Sequence, residues 1–96
     1  MDYWKVEWKH DFQEEPTTFY SEIGEDGYEV RKVQRFRDGR LVKADAQHES
    51  GEVGLSEIPV GRIEDVKAQP DFSAFTISFD EFQVVWLKAR WGRSAL

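Results

Sequence analysis

From Tyr3 to Lys9 apolar and polar positions alternate, with Trp4, Val6 and Trp8 on one side and Tyr3, Lys5, Glu7 and Lys9 on the other. Strict alternation sends successive side chains to opposite faces of a β-strand, so this run predicts a half-buried strand with its tryptophans in the core. Thr17 to Ile23 has the composition of a second strand, and Glu25-Asp26-Gly27 supplies a turn. Tyr28 to Ala46 then reads as one β-hairpin closed by Asp38-Gly39, two residues that tolerate the positive φ angles of a two-residue type I′ turn. In that register Phe36 faces Leu41, Arg35 faces Val42 and Val33 faces Ala44. The side carrying Tyr28, Val30, Phe36 and Leu41 is the better core candidate, and a β-bulge near Lys32-Val33 would bring Val30, Val33 and Phe36 closer together.

The later pattern changes period. Val53 to Leu55 suggests a short strand in a polar, glycine-bearing stretch. Arg62 to Ala68 can form a short helix that buries Ile63 and Val66 and stops before Pro70. Ser78-Phe79-Asp80-Glu81 is a capping box, with Ile77 and Phe82 placed for a hydrophobic staple. Phe79, Phe82, Val85, Trp86 and Ala89 recur at three- and four-residue intervals, which predicts an amphipathic helix from Phe79 to Trp91. Lys88 and Arg90 complement its dipole, and Gly92 stops it, leaving Arg93 to Leu96 as a loose tail.

Short connections between the first four strands require antiparallel pairing, because parallel neighbours need longer crossovers. The expected fold is therefore a single α+β domain over residues 1–96: an antiparallel meander of about four strands, with both helices on one face. Phe82 and Trp86 are expected to pack on the side that bears Trp4, Val6 and Trp8.

Composition supports a globular chain of this size. The sequence is 40% hydrophobic and 15% aromatic, enough for a core despite 33% charged residues. It contains no cysteine, so disulfides and thiolate metal sites are excluded and a reducing cytoplasm suits every residue. No targeting segment and no run long enough to cross a bilayer is visible, so the expected chain is soluble, cytoplasmic and without a membrane partner.

The net charge of -6 is unevenly distributed. Arg31 to Lys43 holds six basic residues and one acid, whereas residues 1–30 hold nine acids and two basics. This overall acidity argues against general nucleic-acid binding, whose electrostatic footprint is a basic domain. The basic hairpin can touch a phosphate group or pair with local acids.

His10 beside Asp11, near Glu14, Glu15 and Tyr20, is the foremost candidate site. A histidine is the natural general acid or base near neutral pH. Adjacent strand residues point to opposite faces, however, so a structural hydrogen-bonding role for His10 is the favoured reading. His10, Glu29 and Arg31 together would suit metal-independent RNA cleavage: a histidine acid, a carboxylate base and an arginine at the phosphate. The same residue types also form surface ion-pair ladders. His10 and His48 lack metal-ligand spacing, and no phosphate loop or nucleophile elbow is present, so no metal or cofactor is expected.

Trp8-x-His10-Asp11, Glu15-Pro16, Tyr20-Ser21-Glu22, Tyr28-Glu29-Val30-Arg31-Lys32-Val33 and Phe36-Arg37-Asp38-Gly39 together resemble a family of small bacterial proteins catalogued as a domain of unknown function. Glu57-Ile58-Pro59 and Glu81-Phe82 with Trp86 fit the same pattern. The resemblance covers most of the chain and points to His10, Asp11, Glu15, Tyr20, Glu22, Glu29 and Arg31 without implying an activity. In general character the chain is also similar to toxin-neutralising immunity proteins. The leading expectation is a non-enzymatic protein-binding module, an inhibitor or immunity protein with a basic partner. Its contact surface would be the acidic segment from Asp11 to Asp26 together with His10, and its binding residues His10, Asp11, Glu14, Glu15, Tyr20, Glu22, Glu25 and Asp26.

Overall fold

The computed structural model describes residues 1–92. Its strands are β1 (Asp2–Trp8), β2 (Thr18–Ile23), β3 (Glu29–Arg35), β4 (Leu41–Asp45), β5 (Phe72–Thr76) and β6 (Arg90–Trp91). Helix α1 (Ile63–Lys67) precedes β5, and helix α2 (Phe79–Lys88) joins β5 to β6. The described residues form one six-stranded sheet in the order β5-β1-β2-β3-β4-β6. The predicted four-strand antiparallel meander is its centre. β5 adds antiparallel to β1, and β6 adds parallel to β4. No strand forms at Val53 to Leu55; Val53 is buried from a loop, beside Phe36, Val42 and Ala44.

The hairpin closes differently from the two-residue expectation. Arg35 pairs with Leu41 and Gln34 with Val42, one position away from the predicted register. The Phe36 amide donates to the Arg40 carbonyl and the Gly39 amide to the Phe36 carbonyl, both at 2.9 Å. Gly39 holds φ at 93°. This is a three-residue loop, a type I turn followed by a left-handed glycine, which Asp-Gly serves as well as a type I′ turn. The one-residue change in register reassigns the faces. Phe36 joins Val42, Ala44 and Val53 in one cluster, Val33 joins Tyr20 in another, and Tyr28 and Val30 are exposed.

A bulge does occur, but at the other strand pair. Glu22 opposes Arg31 and Ile23 opposes Glu29, so Val30 is the extra residue and turns outward. This bulge sets Glu29 on the side of Ser21 while Arg31 stays on the side of Glu22.

The helix lies across the face opposite to the one expected. Phe82 and Ala89 pack with Tyr20 and Val33, and Tyr3, Leu41, Ile77, Val85 and Trp86 surround them. Trp4, Val6 and Trp8 face the other way, where Val66 of α1, Phe72 and the segment from Ser56 to Val60 cover part of the sheet. The two helices therefore sit on opposite faces, and each stripe of β1 has its own cover.

At the start of α2 the serine half of the capping box forms, while the Glu81 carboxylate meets the Ser78 hydroxyl at 3.4 Å. The Ser78 Oγ accepts from the Glu81 amide at 3.0 Å, and Ile77 packs beside Phe82. Ser78→Ala should lower stability by about 1 kcal/mol, the usual value of such a cap, measured by urea unfolding. α2 ends at Lys88 rather than near Gly92, because Ala89 turns extended at ψ 151° and leads into β6. The predicted tail, Arg93 to Leu96, lies outside the described residues.

Candidate functional site

The β1–β2 connection, residues 9–17, is held in place from several directions. The His10 ring packs against Trp8, tilted by 45° at a centroid distance of 4.0 Å, and Phe12 stacks on its ring at 5.4 Å. The Phe12 amide donates to His10 Nδ1 at 3.0 Å, so Nδ1 must accept, and the proton belongs on Nε2, which lies 2.8 Å from the Pro16 carbonyl. One ring thus binds both ends of the loop. Arg37 donates to the His10 carbonyl at 2.7 Å, Pro16 is buried, and the Lys9 amide donates to the Asp71 carbonyl at 2.8 Å. Asp11, Phe12, Gln13, Glu14 and Glu15 all remain exposed, with Phe12 at 61%. Asp11 makes no ion pair with His10, and none of Asp11, Glu14 and Glu15 makes one among the described residues.

Glu22 and Tyr20 have internal roles. Tyr20 is buried in the core under α2. Glu22 accepts two hydrogen bonds from the Arg31 guanidinium, at 2.6 and 2.8 Å, and a third from the Tyr3 hydroxyl at 2.9 Å. The same guanidinium lies 4.9 Å from the Phe82 ring and 4.6 Å from the Trp86 ring, and reaches Gln83 at 3.4 Å. Arg31 holds the Glu22 carboxyl below the usual carboxylate range, while burial and the neighbouring carboxylate push the Tyr3 hydroxyl up. Lys43 extends this layer: its ammonium lies over Trp86 and Trp91 and donates to the Trp86 carbonyl at 3.2 Å. At its margin His48 stacks on Trp91 and meets Asp45 at 2.8 Å. Burial raises the Asp45 pKa, but His48 and the Gln47 amide outweigh it and leave the carboxyl lowered.

Glu29 belongs to the opposite face. It accepts from Ser21 at 2.8 Å and from the Ser56 amide at 2.6 Å, and pairs with Lys32 at 3.0 Å. Arg31 and Glu29 are therefore separated by the sheet, and His10 is fixed in the loop at the far end of β2. The three residues do not converge on a common position for a scissile phosphate. Among the described residues no three His, Asp or Glu side chains gather as metal ligands would, and no helix is long and apolar enough to cross a membrane.

The acidic segment from Asp11 to Asp26 is divided in the same way. Asp11, Glu14 and Glu15 stand before β2, Glu25 and Asp26 stand after it, and Asp26 caps its own turn by accepting from the Tyr28 amide. Six residues of strand place the two groups roughly 17–20 Å apart. Of the six basic residues from Arg31 to Lys43, three are committed to internal partners; Arg35, Arg37 and Arg40 are the exposed ones.

One feature of the sheet leaves almost no mark in the sequence. A groove of about 340 Å³ runs along the tryptophan-bearing face, lined by Trp4, Val6, Phe19, Val60, Val66 and Phe72, with Glu29 and Lys32 at one end. Its only sequence signal is that β1 and β2 both carry large side chains on that face, more than the short α1 can cover.

A family model described as a domain of unknown function (DUF6881) matches residues 2–91. No curated protein and no solved structure matches the chain.

Proposed function

The chain belongs to the DUF6881 family, and for this member we propose a non-enzymatic protein-binding module that presents the β1–β2 loop to a basic partner. The observation that carries this reading is the combination within residues 11–15: a 61%-exposed Phe12 flanked by carboxylates that make no ion pair among the described residues, on a loop pinned at both ends through His10. An aromatic anchor in a charged rim is the usual arrangement of a binding hot spot, and a pre-ordered loop loses little entropy on association. Exposed acids steer a basic partner and favour rapid encounter. An inhibitor or immunity protein that covers the basic site of a toxin, in the cytoplasm of the cell that makes it, is the form of module this surface suits.

The test begins with affinity capture from native cells, eluting with salt, and continues with the identified partner and two charge-reversed variants. Changing Asp11, Glu14 and Glu15 to Lys should weaken binding at least about tenfold, chiefly through slower association at low salt. Changing Glu25 and Asp26 to Lys, at the other end of β2, should change it little. Equal binding by the two variants, or no partner at any salt concentration, would refute the proposal.

A further inference from the structure

We infer that the groove on the tryptophan-bearing face is a binding site for a small neutral molecule with a planar aromatic body and one hydroxyl or amide group. Its floor is Trp4, Val6, Phe19 and Ser21, and its walls are the segment from Ser56 to Val60 on the β3 side and α1 with Phe72 on the β5 side. None of residues 9–17 lines it, so the site is separate from the β1–β2 loop.

Both walls are tied to the sheet through the backbone, so the space is formed in advance. The Ser56 amide donates to the Glu29 carboxylate at 2.6 Å and the Val60 amide to the Gly27 carbonyl at 2.9 Å, which fixes one wall to β3 and to the turn before it. The Phe72 amide donates to the Gln69 carbonyl at 3.1 Å, which fixes the chain after α1 to β5. Held apart in this way, Val6, Phe19, Val60, Val66 and Phe72 all stay only half-buried, and covering them is favourable. The volume of about 340 Å³ is at the small end of the usual range for ligand pockets, roughly 300–1,000 Å³, and suits a molecule of one or two rings.

The polar end of the groove selects the ligand. The strand register sets Lys32 beside Ser21 and Ser21 beside Trp4. Glu29 and Lys32 pair at 3.0 Å with side chains 5% and 15% exposed, so this end is neutral overall, and a charged ligand would be dehydrated there without a counter-charge. Lys32 gives two of its three donors to Glu29 and the Gly54 carbonyl, and the Ser21 hydroxyl donates to Glu29 and keeps its acceptor sites. Among the described residues this leaves an ammonium donor and a hydroxyl acceptor, which a single hydroxyl or amide group can satisfy together. The rings of Trp4, Phe19 and Phe72 offer flat apolar surface to an aromatic body. An extended peptide fits less well, because its backbone would bring several polar groups to an end where only these two sites await a partner.

The experiment titrates the intact chain with naphthol at neutral pH, followed by NMR, alongside two charged molecules of the same ring system, naphthalenesulfonate and naphthylmethylammonium. Saturable shifts are expected at the Trp4 indole and at the Phe19, Ser21, Val60 and Val66 amides, and both charged molecules should bind at least about tenfold more weakly. Val66→Trp and, separately, Val60→Trp fill the groove from its half-buried walls and should abolish the shifts at the other lining residues, with the fold retained by circular dichroism. Changing Asp11, Glu14 and Glu15 to Lys should leave naphthol binding unchanged, because those residues do not line the groove. Absence of saturable shifts would overturn the inference, including the case in which the groove receives an apolar side chain from another protein. So would a charged molecule that binds as tightly as naphthol, binding that survives in a folded tryptophan variant, or binding lost in the lysine variant.

Discussion

Phe82→Ala is expected to lower the unfolding free energy by about 4 kcal/mol, within the usual range for removing a buried phenylalanine. Phe82 is fully buried, the one residue of α2 shut off from solvent on all sides. Its ring meets Tyr3 at 5.5 Å and Trp86 at 6.1 Å, packs against Tyr20 and Val33 on the sheet, and receives the Arg31 guanidinium. Truncation would remove these contacts together and leave a cavity between a helix and a sheet that cannot close without moving α2. A domain of this size has only about 5–15 kcal/mol of stability, so the loss is a large share of it. Trp86→Ala should cost less, because that ring is only half-buried. Urea unfolding followed by tryptophan fluorescence measures both. A change below about 1 kcal/mol for Phe82→Ala would contradict the packing of α2 on this face.

Local chemistry was legible in the sequence and global sidedness was not. The serine N-cap at Ser78 and the alternation in β1 are short-range patterns whose physics is complete within a few residues, and both appear as expected. The face that α2 occupies depends on a contest between two stripes of the same strand. The tryptophan stripe of Trp4, Val6 and Trp8 is the more apolar, yet it faces α1 and the segment from Ser56 to Val60, and Tyr3 meets α2 instead. Nothing within β1 encodes which cover arrives from which side. The hairpin shows the same limit on a smaller scale: Asp38-Gly39 specifies a turn, but both two- and three-residue loops use it, and the choice between them moves every cross-strand pair by one.

The candidate residues divide by the same logic. The sequence favours His10 as a loop tie, since an adjacent strand residue such as Asp11 points away from its ring, and His10 ties Phe12 to Pro16. The exposure of Asp11, Glu14 and Glu15 follows from their place in a polar loop before Pro16. Glu22 and Glu29 were indistinguishable from exposed acids in the sequence. Their burial depends on partners at nine and three residues' distance, Arg31 and Lys32, and the bulge at Val30 decides which acid meets which base. A strand that alternated regularly would have put Glu29 and Arg31 on one face, as the ribonuclease reading required.

The Glu22–Arg31 pair should account for the second large effect, and its sign with pH can be stated in advance. The side chains are 7% and 18% exposed, so removing one partner leaves the other largely dehydrated and uncompensated. Glu22→Gln is therefore expected to cost about 3 kcal/mol near neutral pH, in line with broken buried pairs, and Arg31→Met a similar amount. Replacing both by apolar residues should cost less than the sum, because no charge is then stranded. Arg31 lowers the Glu22 pKa in the folded state, so the folded chain holds its proton less tightly than the unfolded one. The stabilisation is present in full above the ordinary carboxylate range and is lost as pH falls through the lowered folded-state value. Wild-type stability should thus decline in acid more steeply than that of Glu22→Gln, and the two curves should converge at low pH. Urea unfolding measured from neutral to acidic pH tests this directly, and parallel curves separated by a constant offset would show that Glu22 acts through shape and packing rather than through its charge.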